Sequence, residues 1–471
     1  MRLQHISPVI LFLFFSPIFR GCVVVLRSSL CGGSVPESID EKGILMAAPH
    51  AGFAVNGRSY SLPAQPVIVI CLDGSSDEYL SAALLRSKMP NLQRMCLEGY
   101  RGIARGAMPS FTNVNNTSII TGVPPSVHGV GGNFFFDTTT QQEVMMNASS
   151  FVRCETILAA AAKAGRKVGV VTAKEKLRDI FANGVVDHGG IAFSSEKASS
   201  AQFTSHGVSD TESLVGPTPA IYSAEASLYV LKAGVSLLRG DLSDFLYLST
   251  TDYIQHKFAP DAPEALDFYE GIDNELGSLL DFGARVAITA DHGMNAKQKA
   301  DGSPNVIYLE SELNRQFGTG WRVILPITDP YVVHHGALGS FAQVHLPPKH
   351  TGRFTLNGVL AWLMTLPGIT EVWERTAAAR LMELPPDRMG DLVICAGRGV
   401  VLGRTPEYHD LKVIEGGLRS HGGRYEEMVP LITSGTLLPA YQAKAKGDPR
   451  NFDIFDFALN GIASDFPHRS L

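Results

Sequence analysis

Residues 66–80 read PVIVICLDGSSDEYL, an unbroken apolar run closed by Asp73 and Gly74. A run this short, rich in β-branched residues and without polar alternation, reads as a strand buried on both faces with a polar residue at its carboxyl end. Three later stretches repeat the design: RKVGVVTAKEKL (166–177), SDFLYLSTTDYIQH (243–256) and ARVAITADHGMN (284–295). Helical patterns lie between them, as in CETILAAAAKAG (154–165) and ALDFYEGIDNELGSLLDFG (265–283). Strand–helix alternation predicts an α/β fold built on a doubly wound, mainly parallel sheet. In such sheets ligands collect at the carboxyl ends of the strands. Asp73, Asp252, Asp291 and His292 all fall there.

Working outward, residues 54–295 and 386–471 read as one core, and residues 296–385 as an inserted, smaller cap rich in proline, glycine and aromatic residues. The cap carries two short strand patterns, RVILPI and FAQVHL, and an amphipathic helix, LNGVLAWLMTL. GDLVICAG (390–397) reads as a return to the central sheet, and SHGGRYEEMVPLITSG (420–435) as its closing segment. Residues 1–53 are an apolar, signal-like extension and a linker. Arg2 followed by the apolar run 8–19 has the layout of a secretory signal, but no small-residue cleavage site follows, and Arg20 cuts the run too short for a spanning helix. Three readings stand: an upstream extension before a true start at Met46, giving a cytoplasmic protein, a signal sequence, or a membrane anchor.

The chain has 471 residues, 45% hydrophobic and 18% charged, the balance of a globular protein. A net charge of −6 without a long basic run speaks against nucleic-acid binding. Six scattered cysteines form no C-x-x-C pair, and Cys71 and Cys395 lie in apolar strand-like runs, so no disulfide framework is read.

Asp252 and His256 are four apart and would share one face of a helical turn. A lone pair of this kind is more often ordinary surface, so its partners decide. With Asp73, Asp291, His292 and the late His421 it makes six carboxylate and imidazole groups, the donors that hold zinc or manganese. Two metals about 3.5–4 Å apart stabilise both oxygens of a displacement at phosphorus. In GAMPSFTNVNNTSIITGVPPSVHGVGGN (106–133), Thr112 stands where a helix can begin, a place that favours anions. Simple N-capping is the commoner task of such a threonine. Lys174 and Lys176, two apart in a loop after a strand, could point at one anion, or form a solvated Lys-Glu-Lys patch. Asn115 and Asn133 could donate to phosphonate oxygens, or bond their own loops. His128 reads as structural support, His334 and His335 as packing or entrance residues, and His188 as a decoy.

The order of these elements resembles the alkaline phosphatase superfamily, in its nucleotide pyrophosphatase/phosphodiesterase branch: apolar strand with Asp-Gly, Thr-x-x-Asn, Asp-x-x-x-His, Asp-His-Gly and a late His-Gly-Gly. PSFTNVNNTSIITGVPPSVHGVGGNFFFD, VTAKEKLRDIF and YLSTTDYIQHKFAP are similar, more closely, to the phosphonoacetate hydrolase family, over about residues 54–465. The resemblance implies two zinc ions per subunit, with manganese or iron as alternatives. Asp252, His256 and His421 would hold the first, and Asp73, Asp291, His292 and the oxygen of Thr112 the second. It implies Thr112 as nucleophile, Lys174 and Lys176 on the substrate carboxylate, a small anionic phosphonate as partner, and a homodimer.

Cleaving the carbon–phosphorus bond expels carbon, and the adjacent carboxylate can take up the developing charge. A zinc-dependent phosphodiesterase or nucleotide pyrophosphatase is the alternative, since the superfamily shares its metal chemistry. That activity calls for an apolar slot rather than paired lysines. A mutase calls for a serine nucleophile followed by a larger insertion, whereas Thr112 and Asn133 are about twenty residues apart. A degenerate binding module is disfavoured by the complete set of ligands and nucleophile.

Overall fold

A computed structural model describes residues 52–327, 336–348, 354–414 and 417–463. The N-terminal extension and the cap residues His334 and His335 lie outside the described residues. Among those described, no helix is long and apolar enough to cross a membrane, and Cys71, Cys96, Cys154 and Cys395 are free thiols.

Seven strands form the central sheet, in the order Tyr100–Arg105, Met428–Thr433, Arg285–Thr289, Val67–Cys71, Phe245–Ser249, Val168–Thr172 and Ile191–Ser194. The last five run parallel, while 428–433 is antiparallel to both its neighbours. All four apolar runs expected to be parallel strands are strands of this sheet. The period-2 geometry of a strand sends alternate residues to opposite faces. Ile68 and Ile70 enter one core with Tyr79, Leu92, Val230 and Leu266. Val67, Val69 and Cys71 enter another with Ile119, Ile157 and Phe455. Helices Asp77–Leu85, Pro90–Glu98, Ala224–Arg239 and Pro263–Leu280 supply the first layer. The doubly wound arrangement follows, because a strand apolar on both faces needs a cover on each.

A second sheet has four strands, in the order Arg322–Ile324, Phe341–His345, Leu392–Ala396 and Ile369–Glu374, all antiparallel. The strand 392–396, expected in the central sheet, belongs here. Its apolar run reads the same in either place, but its partners are 341–345 and 369–374. This sheet therefore extends past residue 385, the cap boundary read from the sequence.

Helix Thr112–Thr121 joins the two parts, for Ile119 and Ile120 pack into the central core, while Val114, with the preceding Phe111, packs into the core of the second sheet. Every residue of this helix is buried, so its polar side chains must find partners inside. Thr117 donates to the Asn113 carbonyl (2.6 Å) and Thr121 to the Thr117 carbonyl (2.7 Å). The helix ends at Gly122, whose φ of +69° is left-handed and where a Cβ would stand 2.6 Å from the Tyr60 hydroxyl.

His128 braces this helix as expected. Its Nδ1 accepts from the Val130 N–H (3.1 Å), so its Nε2–H donates to Ser118 Oγ (2.8 Å). Burial pushes the imidazole down to about 3. An unfolded histidine titrates near 6.5, so between that pH and the folded value the unfolded chain binds the extra proton and stability rises with pH. The contribution is whole above about pH 6.5 and is lost progressively as pH falls below it. Urea unfolding of His128→Gln is expected to show a lower midpoint at pH 7 and a shallower decline from pH 6.5 to 5 than the parent chain. An identical acid decline would remove His128 from the account.

Candidate active site

The three middle parallel strands end side by side, and each delivers a carboxylate: Asp73 after 67–71, Asp252 after 245–249, and Asp291, followed by His292, after 285–289. Gly74 permits the approach, for its φ is +71° and a Cβ there would lie 2.8 Å from the Asp252 Cβ. Helix Tyr253–Lys257 brings His256 round onto Asp252, with Nε2 2.9 Å from Oδ2. His421 follows the short strand Arg419–Ser420, which pairs with Asn295–Ala296 just beyond His292. Its Nε2 is 3.7 Å from Asp252 Oδ2, and its ring stacks flat on His292 at 3.5 Å between centroids and 6° between planes. His292 Nε2 lies 3.3 Å from Asp73 Oδ1, 3.6 Å from Asp291 Oδ2 and 3.3 Å from Thr112 Oγ1. Thr112 is the first residue of its helix; Phe111 takes the N-cap position and no side chain caps the end. The hydroxyl is therefore not spent on capping.

The donor set is suited to a cation. Each imidazole donates its Nδ1–H to a main-chain carbonyl: His256 to Arg419 (2.8 Å), His292 to Gly293 (2.9 Å) and His421 to Ser110 (2.7 Å). That fixes the tautomer, so all three Nε2 lone pairs face the carboxylates. Lone pairs opposed across 2.9–3.7 Å need a positive charge between them. Asp73 Oδ1 is buried and accepts no hydrogen bond. Burial, with Asp252 and Asp291 close by, raises the Asp73 pKa well above the carboxylate range. Burial opposes ionisation of Asp252 too, but the Lys174 ammonium beside it holds its pKa well below that range. Burial keeps His421 neutral. Two groups could each hold a metal: Asp252, His256 and His421, and Asp73, Asp252 and His292. The first is the set read from the sequence. In the second, Asp252 stands where Asp291 was expected. Asp291 Oδ1 accepts from the N–H groups of Gly74 (3.1 Å) and His292 (3.0 Å).

Lys174 lies inside the cluster, with Nζ 3.2 Å from Asp73 Oδ2 and 3.0 Å from Asp252 Oδ1. Burial opposes its charge, yet Asp252 and Asp73 hold its pKa above the ordinary lysine value. Lys176 is half-buried nearby, and burial followed by repulsion from Lys174 pushes it down to about 7. Asn133 is buried at the start of the threonine helix, its Oδ1 accepting from the Asn113 N–H (3.4 Å). Asn115 does not serve the cleft as expected. Its Oδ1 accepts from the Ala107 N–H (2.6 Å) and Asn451 Nδ2 (2.9 Å), and its Nδ2 donates to the Ala107 carbonyl (3.0 Å), so the amide is spent on packing the helix. His188 lies on a short 3₁₀ turn after Val185 and belongs to neither ligand group.

The site and fold have known counterparts. A model of the type I phosphodiesterase/nucleotide pyrophosphatase family matches residues 67–423, and the chain belongs to that family of hydrolases. Phosphonoacetate hydrolase from Sinorhizobium meliloti 1021, solved with phosphonoformate and with phosphonoacetate, is 45% identical. The match covers 88% of this chain and 100% of that one, with a TM-score of 0.83. Murine ectonucleotide pyrophosphatase/phosphodiesterase 5 is 17% identical over 86% of this chain and 97% of its own, with a TM-score of 0.55, a likeness of fold.

One residue of the site escaped the sequence reading. Asn116 donates from Nδ2 to Asp291 Oδ2 (3.1 Å) and to the Thr112 carbonyl (3.1 Å). Its Oδ1 accepts from Tyr247 Oη (2.7 Å) and Ser249 Oγ (3.0 Å). It thereby ties the helix that carries Thr112 to two strand ends. The signal was its place four residues after Thr112, on the same helical face. Outer partners of this kind commonly change metal affinity about 10–100-fold. Asn116→Ala is expected to weaken metal binding by that order, measured by competition with a chromogenic chelator. Unchanged affinity would show that the main-chain donors alone hold Asp291.

Proposed function

We propose that this chain hydrolyses the carbon–phosphorus bond of phosphonoacetate, giving acetate and phosphate. The observation that carries the reading is the pair Lys174 and Lys176, set beside a metal-ready cluster with a threonine hydroxyl, in a chain 45% identical to an enzyme of that activity. An ester slot has no need of two ammonium groups, whereas a substrate with a phosphonate and a carboxylate on one carbon does.

Two zinc ions, with manganese or iron as alternatives, would be held by Asp252, His256 and His421 and by Asp73, Asp291, His292 and Thr112 Oγ1, with Asp252 close enough to Asp73 and His292 to serve the second as well. When bound, such ions neutralise phosphonate charge and acidify a ligated hydroxyl. Thr112 supplies the nucleophile, whose oxygen bonds to phosphorus as the bond to carbon breaks. The electron pair passes to the methylene carbon and spreads into the neighbouring carboxylate. Lys174 and Lys176 sit where that growing charge is stabilised, which is where binding raises the rate. The threonine proton passes to solvent as the oxygen attacks, a proton from water at the carbon yields acetate, and a second water hydrolyses the phosphothreonine to phosphate and restores the hydroxyl. With its oxygen engaged by the Asn113 N–H, Asn133 has its amide nitrogen left to donate to a phosphonate oxygen. The functional unit is a homodimer, as the resemblance implies.

The zinc-loaded protein is expected to release phosphate faster from phosphonoacetate than from p-nitrophenyl phosphate. The reverse order would favour phosphate-ester hydrolysis, and faster p-nitrophenolate release from bis(p-nitrophenyl) phosphate would favour the phosphodiesterase reading that the family also accommodates. Thr112→Ala is expected to abolish turnover, by at least about 10³-fold in kcat, while metal analysis still finds two zinc ions bound. Persistent activity in that variant would make water the nucleophile.

A further inference from the structure

The Lys-Glu-Lys segment enters the site at the carboxyl end of strand 168–172, next to the edge strand 191–194. The loops after these two strands are stitched together. The N–H of Ser195 donates to the Thr172 carbonyl (2.9 Å) and that of Glu196 to the Ala173 carbonyl (3.2 Å). Between the two lysines, Glu175 is held at three points. Its N–H donates to Glu196 Oε2 (2.8 Å), its Oε2 accepts from Ser194 Oγ (2.5 Å), and its Oε1 accepts from Arg178 Nε (2.5 Å). Glu175 is also the first residue of helix Glu175–Ala182, where Lys174 takes the N-cap position without a side-chain cap. The carboxylate of Glu196 supplies the acceptor that this helix start lacks locally. Glu196 is also one of three carboxylates, with Asp252 and Asp73, whose fields act on Lys176. Asp252 and Asp73 belong to the metal-ready cluster, whereas Glu196 comes from the loop after the edge strand and reaches the main chain between the lysines.

Resting on the reading that the two lysines take the substrate carboxylate, we propose that Glu196 is a positioning residue for substrate choice. It fixes the main chain between Lys174 and Lys176, so that both ammonium groups address one anion. The consequence is confined to substrates that carry a carboxylate beside the phosphonate. A phosphate ester makes no call on the lysine pair and depends on the strands further in.

The test uses the zinc-loaded full chain and reads the ratio of kcat/KM for phosphonoacetate to that for p-nitrophenyl phosphate. Glu196→Ala removes the acceptor and is expected to lower this ratio at least tenfold, chiefly through KM for phosphonoacetate. Glu196→Gln keeps an oxygen for the Glu175 N–H and is expected to restore most of the ratio. A Glu196→Ala ratio within twofold of the parent, whether both substrates fall together or neither does, would overturn the proposal. The double variant Lys174→Ala with Lys176→Ala separates the two levels. If it keeps the parental ratio, the lysine reading fails and takes the proposal with it. If it loses the ratio while Glu196→Ala does not, only the role of Glu196 is lost.

Discussion

Three hydrogen bonds from imidazole Nδ1–H groups to main-chain carbonyls control the chemistry of this molecule. They hold His256, His292 and His421 in one tautomer and aim three lone pairs at carboxylates that are themselves acceptors. A cluster of acceptors is costly in a buried place unless positive charge is drawn into it. Lys174 offsets part of that cost from one side. The rest is a standing demand for cations, and the surrounding fold is strong enough to sustain it. The parallel strands are buried throughout, and cores lie on either face of the sheet.

The helix that begins at Thr112 shows how a hydroxyl is kept beside the cluster without a cap. Its apolar side chains go to two different cores, and its polar ones are satisfied internally or by neighbours such as His128 and Asn451. A helix anchored from both sides cannot slide along its axis without breaking one core or the other. The 3.3 Å approach of Thr112 to His292 is therefore a property of packing between two sheets, not of a local loop.

Much of this was legible in the chain. Short apolar runs ending in Asp or Asp-His have few structural meanings, and four of them in alternation with helical stretches defined both the sheet and the place where ligands gather. His128 was legible as support. What could not be read were contacts set by tertiary partners. Asn115 and Asn116 are adjacent asparagines on one helix, and their chemistry is the same. Only the position of Asn451 on one side and Asp291 on the other separates packing from ligand support. Strand 392–396 carries no mark of which sheet it joins, because a buried strand has the same composition in either. Glu175, in the middle of a charged triplet, looked solvated and is instead fastened by three neighbours.

The carboxylates and imidazoles of the cluster come from the three inner parallel strands and the His421 segment, whereas the lysine pair comes from the next strand outward. On the proposed reading, hydrolysis and substrate preference rest on neighbouring strands that meet where Lys174 pairs with Asp73 and Asp252. A loop exchanged here would leave the carboxylates and imidazoles in place and take away the ammonium that Asp73 and Asp252 share.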